Sequence, residues 1–377
     1  MNKPDFIELA YEFPASLPPP KNEDYFRFPV KIAEEMGLET CIYSMRTQAR
    51  KRKLESVDHV RVRRFDDPFL LLFSAISGKP LIAHGHSFGW IPSCSAPMFI
   101  KRYVFTPHVY RLDMYNPNLV KLVASLVGKS RAIIALTKYE ANWFAPFADK
   151  ARIHVIPHPI DFNFFSETAR EGQAEVRECF GIDDGLILSV ANLVPRKNLE
   201  TLLKSFKLVN QAMPRTKLII VGSDPPTVLG VGRPKRMRMP YSQKLKETIS
   251  MLHLEGKVFL AGYRDSNDLR KFYAAADVFA LPSTVEGQLL SAGEAAASGL
   301  PLVLSNLEPL VETYDGCALF HSPFDHITLA HHLIDILTDA KLRRVLSQRG
   351  REKMKTYDIS SIKPKLKAVY EECLTTK

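Results

Sequence analysis

Residues 277–301 read "DVFALPSTVEGQLLSAGEAAASGLP". The apolar run from Val278 to Leu281 stops at Pro282, Thr284 to Gly287 make a turn, and a stretch rich in Ala and Leu follows from about Gln288. A short buried strand that passes through a tight turn into a helix is the repeating unit of a parallel α/β sheet, because parallel strands require a crossover. Two residues fit this picture poorly. Glu286 stands at the mouth of the segment and Glu294 inside it, among side chains otherwise suited to burial. A carboxylate there is costly unless it has a partner.

The same unit recurs on both sides. "DFIELAYEF", "ETCIYSM", "PLIAHGHS", "YVFTPH", "AIIALT" and "HVIPHPI" read as strands with helical patterns between several of them. After "PHPIDFNFFSETAREGQAEV" (157–176) the alternation restarts with "LILSVAN", "KLIIVGS", "KVFLAG", "DVFALPS", "PLVLS" and "CALFH". A chain of 377 residues is long for one core, so two domains are expected, with the boundary near 162–172. The closing "SSIKPKLKAVYEECL" (360–374) reads as an amphipathic helix with Ile362, Leu366, Val369 and Leu374 on one face. No internal repeat is evident.

Composition bounds the class. A hydrophobic fraction of 46% with 24% charged residues describes a soluble globular chain. No run reaches the roughly 18–20 apolar residues of a membrane helix, and "MNKPDFIELAYEF" lacks the apolar core of a signal peptide, so a cytoplasmic protein is expected. The five cysteines are far apart and without CxxC spacing, which suggests neither a disulfide framework nor a zinc site. The net charge of +10 is uneven: residues 1–160 hold 22 Lys and Arg against 15 Asp and Glu. Much of the excess lies in "RTQARKRKLESVDHVRVRR" (46–64). That stretch offers peripheral contact with an anionic membrane; a solvated basic face is the plainer alternative. With no aromatic residues interleaved and no binding motif beside it, nucleic acid is not expected as a partner.

Ligands of open parallel sheets bind beyond the carboxyl ends of the strands. Two strand-to-helix turns stand out. In "LILSVANLVPRKNLETLLKSF" (186–206), Arg196 and Lys197 precede a helix with Asn198 at its N-cap. Cations oppose the macrodipole there, whereas a bound anion would reverse the sign. Two solvated loop charges are the other reading. In the opening stretch, eight residues of helix rise about 12 Å, too far for the paired carboxyls of a glycosidase at roughly 5–9.5 Å. That separation suits two contacts on one elongated ligand. With the N–H groups of Gly287, Gln288, Leu289 and Leu290 between them, the glutamates flank an anion site, matching the order of sugar, diphosphate and ribose in a nucleotide sugar. A capping glutamate and a helix glutamate paired with a lysine would look the same.

"PSTVEGQLLSAGEAAASGLPLV" resembles the E-x7-E signature of retaining GT-B glycosyltransferases of the family 4 type, the glycosyl transferases group 1. It keeps both glutamates, Pro282, Ser283, Gly287, Gly299 and Pro301. "YRDSNDLRKFYAAADVFALPS", "ALTKYEANWF", "VIPHPID" and the last helix extend the likeness over nearly the whole chain. The resemblance implies two Rossmann-like parallel-sheet domains facing across a cleft. An acceptor-binding domain would occupy 1–165, a nucleotide-sugar-binding domain 166–358, and a C-terminal helix over 359–377 would cross back to the first. It implies transfer of a hexose from a UDP- or GDP-linked donor to a glycan, lipid-linked or small-molecule acceptor, with retention and without a metal. Carried over by position, Glu286 would contact the donor sugar, Glu294 the ribose and Lys197 the diphosphate, with the base near Tyr263 and Arg264. His108, at the end of "VFTPH", would stand near the reacting sugar, with His84 and His86 as second candidates on the acceptor side.

The chain departs from that pattern in places. Asn192 replaces the usual arginine before the diphosphate-binding lysine, leaving Arg196 to supply the second positive charge. Gln288 and Leu289 replace the usual Phe-Gly pair. "PASLPPPKNED" (14–24) replaces a Gly-rich loop, and proline lacks the N–H such a loop offers to phosphate, so Lys21 or the first helix would have to compensate. The insertion "GSDPPTVLGVGRPKRMRMPYSQ" (222–243) is read as a basic lid. A catalytically silent nucleotide-sugar-binding subunit, or a GT-B epimerase or phosphorylase, is the alternative.

Overall fold

The computed structural model describes residues 3–10, 24–45, 54–57, 59–86, 91–108, 116–149, 152–167, 170–224 and 240–375. The expectations for the proline-containing loop with Lys21, for residues 46–53 and for residues 225–239 of the insertion fall outside these. The chain forms two compact units, one of residues 1–159 with 360–377 and one of residues 160–359. No helix among the described residues is long and apolar enough to cross a membrane.

The first unit is built on β1 (Phe6–Ala10), β2 (Thr40–Met45), β3 (Leu54–Val57), β4 (Val60–Phe65), β5 (Ile82–His86), β6 (Tyr103–Thr106), β7 (Ala132–Ala135) and β8 (Ile153–Val155). Their order is β3-β4-β2-β1-β5-β6-β7-β8. All pairings are parallel except that of the edge strand β3 with β4. Every residue of β1 and β5 is buried, as expected of central strands covered on both faces. Pairing runs outward from β1 through β2 to β4, then starts again beside β1 with β5, so the topology reverses between β1 and β5.

The described part of the basic stretch, 54–57 and 59–64, is not simply a solvated face. It forms the hairpin β3–β4, and alternation in "VRVRRF" buries Val60, Val62 and Arg64. The Arg63 guanidinium lies 5.1 Å from the Phe65 ring centroid and 5.8 Å from that of Tyr43, and Arg61 Nε donates to the Thr40 carbonyl at 3.1 Å. The last helix, Ile359–Thr375, buries Ile362, Leu366, Val369, Tyr370 and Cys373. Leu374 is only partly buried. At about 100° per residue, position 373 returns to the direction of Ile362 and position 374 overshoots it.

The second unit carries β9 (Leu186–Val190), β10 (Lys217–Val221), β11 (Val258–Gly262), β12 (Val278–Leu281), β13 (Leu302–Ser305) and β14 (Ala318–His321). They form an all-parallel sheet in the order β11-β10-β9-β12-β13-β14. Each lies where an apolar run predicts it. The two α/β units have the architecture of a GT-B fold. Chain order again reverses, here between β9 and β12. Beyond their ends, Ala191 N–H donates to Val221 O at 3.0 Å and Leu193 N–H to Ser223 O at 2.9 Å. Gly222 permits this: its φ is +145°, and a Cβ there would lie 1.9 Å from the Ala191 carbonyl oxygen.

Candidate functional site

At the β9/β12 reversal the two turns singled out in the sequence are laced together. The first is a short 3-10 turn, Pro195–Lys197, followed by the helix Leu199–Ala212. The Thr284 backbone N–H donates to Arg196 O at 2.8 Å, and the Thr284 hydroxyl donates to the same oxygen at 3.2 Å. Asn198 does occupy the N-cap position, but its side chain does not cap. Held at φ 53° and ψ 40°, it donates through Nδ2 to Pro282 O at 3.1 Å and to Pro323 O at 2.6 Å, and accepts from the Thr201 hydroxyl at 2.9 Å. A non-glycine residue in the left-handed region is uncommon, and Asn is among those that tolerate it. Here it ties the β9 turn to the loops after β12 and β14.

Glu286 and Lys197 resolve the question raised by the first glutamate. Lys197 Nζ donates to Glu286 Oε1 at 2.5 Å with both side chains buried, and half-exposed Arg196 reaches Glu286 Oε2 at 3.5 Å. Neither Lys197 nor Glu286 is a solvated charge. Burial pulls the Lys197 ammonium down from its ordinary range while Glu286 opposes the shift. The helix after the turn runs Leu290–Ala297, starting two residues later than the composition predicts. Leu289 holds its N-cap position and no side chain caps it. Gly287 and Leu289 are buried and Gln288 and Leu290 partly so. The Leu289 carbonyl accepts from Tyr314 OH at 2.7 Å.

Glu294 is buried in that helix and bonded to a phenol: Tyr273 OH donates to Oε2 at 2.8 Å. Burial pushes its carboxyl up to about 8, and the tyrosine only partly offsets this. The group is therefore largely neutral at pH 7. Tyr263 and Arg264 follow β11, with Arg264 Nη1 on the Tyr263 carbonyl at 3.1 Å and its guanidinium 5.9 Å from the Phe272 ring centroid. Asn192 is exposed just past β9.

His84, His86 and His108 gather in the first unit, at its own reversal between β1 and β5. Glu8 sits opposite His84 in the strand register and its carboxyl touches His86 Nε2. His86 Nδ1 meets His108 Nε2 at 2.7 Å, and His108 Nδ1 meets His158 Nε2 at 3.2 Å. His84 lies between Tyr370 OH at 2.7 Å and Thr106 Oγ1 at 2.8 Å. His108 itself has a φ of 51°. Glu8, His158, Tyr370 and Tyr273 were not singled out from the sequence. The glutamate in the middle of "FIELA" was the available signal, since charge in a central strand demands a partner. Among the described residues, Glu8, His84 and His86 are the one trio whose ligand atoms, all within 4.8 Å of one another, could hold a metal ion. The five cysteines are free thiols.

Residues 174–353 match the family model "Glycosyl transferases group 1". Mannosylfructose-phosphate synthase of Agrobacterium fabrum is 29% identical over 209 residues, 55% of this chain and 44% of that protein. The GDP-mannose-dependent alpha-(1-6)-phosphatidylinositol monomannoside mannosyltransferase of Mycolicibacterium smegmatis is 23% identical over 265 residues, 67% of this chain and 65% of that one. The matched region thus spans less than half of the first relative's length. Among solved structures, HepE of Anabaena in complex with UDP-glucose superposes with a TM-score of 0.81 at 17% identity, covering 98% of this chain and 100% of that one. Sucrose-phosphate synthase from Thermosynechococcus elongatus gives 0.79 at 18%, covering 97% and 98%. The region 174–353 is a group 1 glycosyltransferase domain on a GT-B scaffold.

Proposed function

We propose that this chain, carrying a group 1 glycosyltransferase domain, moves a hexose from a nucleotide-diphosphate sugar to an acceptor hydroxyl with retention of anomeric configuration. The observation that carries the reading is the buried Lys197–Glu286 pair at the β9/β12 reversal, beside the helix N-terminus at Leu289. A sheet reversal is where open α/β folds bind ligands. Helix N–H groups with a lysine and an arginine make an anion site there.

In this reading the diphosphate lies over the turn between Gly287 and Leu290, drawing Lys197 and Arg196 toward it. The Glu286 carboxylate, held in place by Lys197, faces the donor sugar. Glu294 takes the ribose hydroxyls, and the base stacks near Tyr263 and Arg264 after β11. The C1–O bond to the diphosphate breaks with its electron pair leaving on phosphate, and the acceptor oxygen bonds C1 from the same face while its proton passes to the departing diphosphate oxygen. Stabilising the developing charge on the leaving diphosphate is the main electrostatic contribution, and two cationic side chains supply it without a metal. The acceptor is assigned to the first unit, near His108. Relatives that use phosphatidylinositol mannosides favour a lipid-linked acceptor, with the basic N-terminal half held peripherally at an anionic membrane.

Calorimetric titration of UDP, GDP and ADP into the full chain without divalent metal tests the donor site. One nucleotide should bind at micromolar affinity and weaken roughly tenfold in Glu294→Ala, about 1.4 kcal/mol. No binding by any of the three would refute the assignment.

A further inference from the structure

At the β1/β5 reversal the strand register puts Glu8 opposite His84. Successive side chains of a strand point to opposite faces, so His84 and His86 share one face, the one that Glu8 occupies. All three side chains are buried. The Glu8 carboxyl touches His86 Nε2, and its Oε2 lies 3.8 Å from His84 Nδ1. Yet among the described residues no group donates a hydrogen bond to either Glu8 oxygen, and no lysine or arginine pairs with it. A buried carboxylate in that position is costly. Three ligand atoms within 4.8 Å of one another, one of them on an unbonded buried carboxyl, converge as the donors of a cation site do.

We propose that Glu8, His84 and His86 form a binding site for a divalent metal of the zinc class, which ties β1 to β5. Two imidazoles with one carboxylate are the protein ligands of open zinc sites. Imidazole nitrogen suits zinc and its transition-metal neighbours, whereas magnesium and calcium prefer oxygen throughout. Zinc held at roughly 2.0–2.2 Å from each ligand sets tetrahedral neighbours about 3.4 Å apart. The 3.8 Å between Glu8 and His84 is close to that spacing, and the contact between Glu8 and His86 has only to open as the ion enters.

The groups behind the ligands suit the site. A metal-bound imidazole donates its other ring N–H to an acceptor, which fixes its tautomer and orientation. Both rings have an acceptor in reach: His84 Nε2 is 2.8 Å from Thr106 Oγ1, and His86 Nδ1 is 2.7 Å from His108 Nε2. His108 then carries its own hydrogen on Nδ1, 3.2 Å from His158 Nε2. The ion would take from His84 only its bond with Tyr370 OH, now 2.7 Å from Nδ1. Burial pushes that phenol up and keeps it a neutral donor, free to turn its O–H to the outer carboxylate oxygen. Burial likewise holds His84 and His86 well below their ordinary range, so both offer neutral nitrogens. A cavity of about 20 Å³ bordered by His84, His86, Thr106 and His158 has room for one water as a fourth ligand.

The site does not rest on the glycosyl-transfer reading; only its influence on His108 as an acceptor-side group does. The test is metal retention by the full chain, stripped with EDTA, loaded with Zn²⁺ and passed through gel filtration before elemental analysis. The wild type should keep one equivalent, Glu8→Gln and His86→Ala little or none, and Zn²⁺ should raise the Tm of the wild type alone. Co²⁺ at one equivalent should give the wild type the intense visible bands of a four-coordinate ion. No retention by the wild type would overturn the site. So would retention that survives in Glu8→Gln, which marks binding elsewhere on the chain, or an equal rise in Tm with Mg²⁺. Should the variants not fold, the Co²⁺ spectrum of the wild type decides, and the weak bands of a six-coordinate hydrated ion count against the site. Nucleotide titration of the zinc-free wild type reads the donor site separately: no nucleotide binding would refute the transferase reading and leave the metal result standing.

Discussion

Replacing Glu294 by glutamine should make the second unit lose less stability as pH rises. An unfolded glutamate gives up its proton near 4.3, whereas burial keeps the native one protonated until about pH 8. Between those values the native state binds more protons than the unfolded chain, so native stability is highest below about pH 4 and falls as pH climbs toward 8. At about 1.36 kcal/mol per pH unit, the interval from pH 5 to pH 8 sets an upper limit of about 4 kcal/mol. At roughly 2–4 °C per kcal/mol for a unit of this size, a loss of even half that limit is easily read. The substituted glutamine has nothing to titrate and keeps an acceptor for Tyr273. The assay is thermal unfolding of both full-length proteins at half-unit steps of pH, read as the difference in Tm, which cancels the titration of every other group. The variant should gain on the wild type steadily from pH 5 to pH 8. A difference that stays constant would mean that Glu294 is already ionised in the free protein, and the burial argument would be wrong. Ribose hydroxyls donating to this carboxyl would favour its charged form, so nucleotide binding at pH 7 should release up to one proton. Binding heats should then depend on the ionisation enthalpy of the buffer in the wild type and not in Glu294→Gln.

Lys197→Met leaves Glu286 buried without its closest cation and should cost about 3–5 kcal/mol in urea unfolding. Adding Glu286→Leu should recover a substantial part, and strictly additive losses would show that the two are not coupled. Asn198→Ala should cost about 4–5 kcal/mol, from three lost hydrogen bonds at about 1 kcal/mol each and the strain of a left-handed alanine at about 1–2 kcal/mol. Asn198→Gly should be milder by about 1 kcal/mol, and equal losses would discount the strain. Gly222→Ala should destabilise by more than about 3 kcal/mol, because its Cβ would meet the Ala191 carbonyl at 1.9 Å; a mild effect in chemical denaturation would mean that the β9 and β10 turns part easily.

Much of this organisation was legible in the sequence because it is local. All six strands of the second sheet are apolar runs ending at a turn signal, and the turns bearing Arg196, Lys197 and Glu286 follow directly from two of them. The hairpin β3–β4 was hidden because its arginines dominate the composition, although the alternation in "VRVRR" carries the period of a strand. The reach of Asn198 across to Pro282 and Pro323 could not be read, since an Asn before a helix looks the same whether it caps or bridges. The partners of the buried acids lie beyond any local pattern. Tyr273 is 21 residues from Glu294, and the tyrosine that holds His84 is 286 residues away.

That last distance matters for the order in which the protein can be made. The first unit contains residues 1–159, yet the helix that supplies Tyr370 to His84 and packs that ring on Phe6 is translated only after the whole of the second unit. During synthesis the N-terminal sheet must wait, with the apolar side chains under that helix uncovered, while some 200 intervening residues emerge and fold, at about 5–20 residues per second. Of the two units, the one entered first is thus completed second, and a ribosome stalled before residue 360 would hold a finished second unit and an open first one.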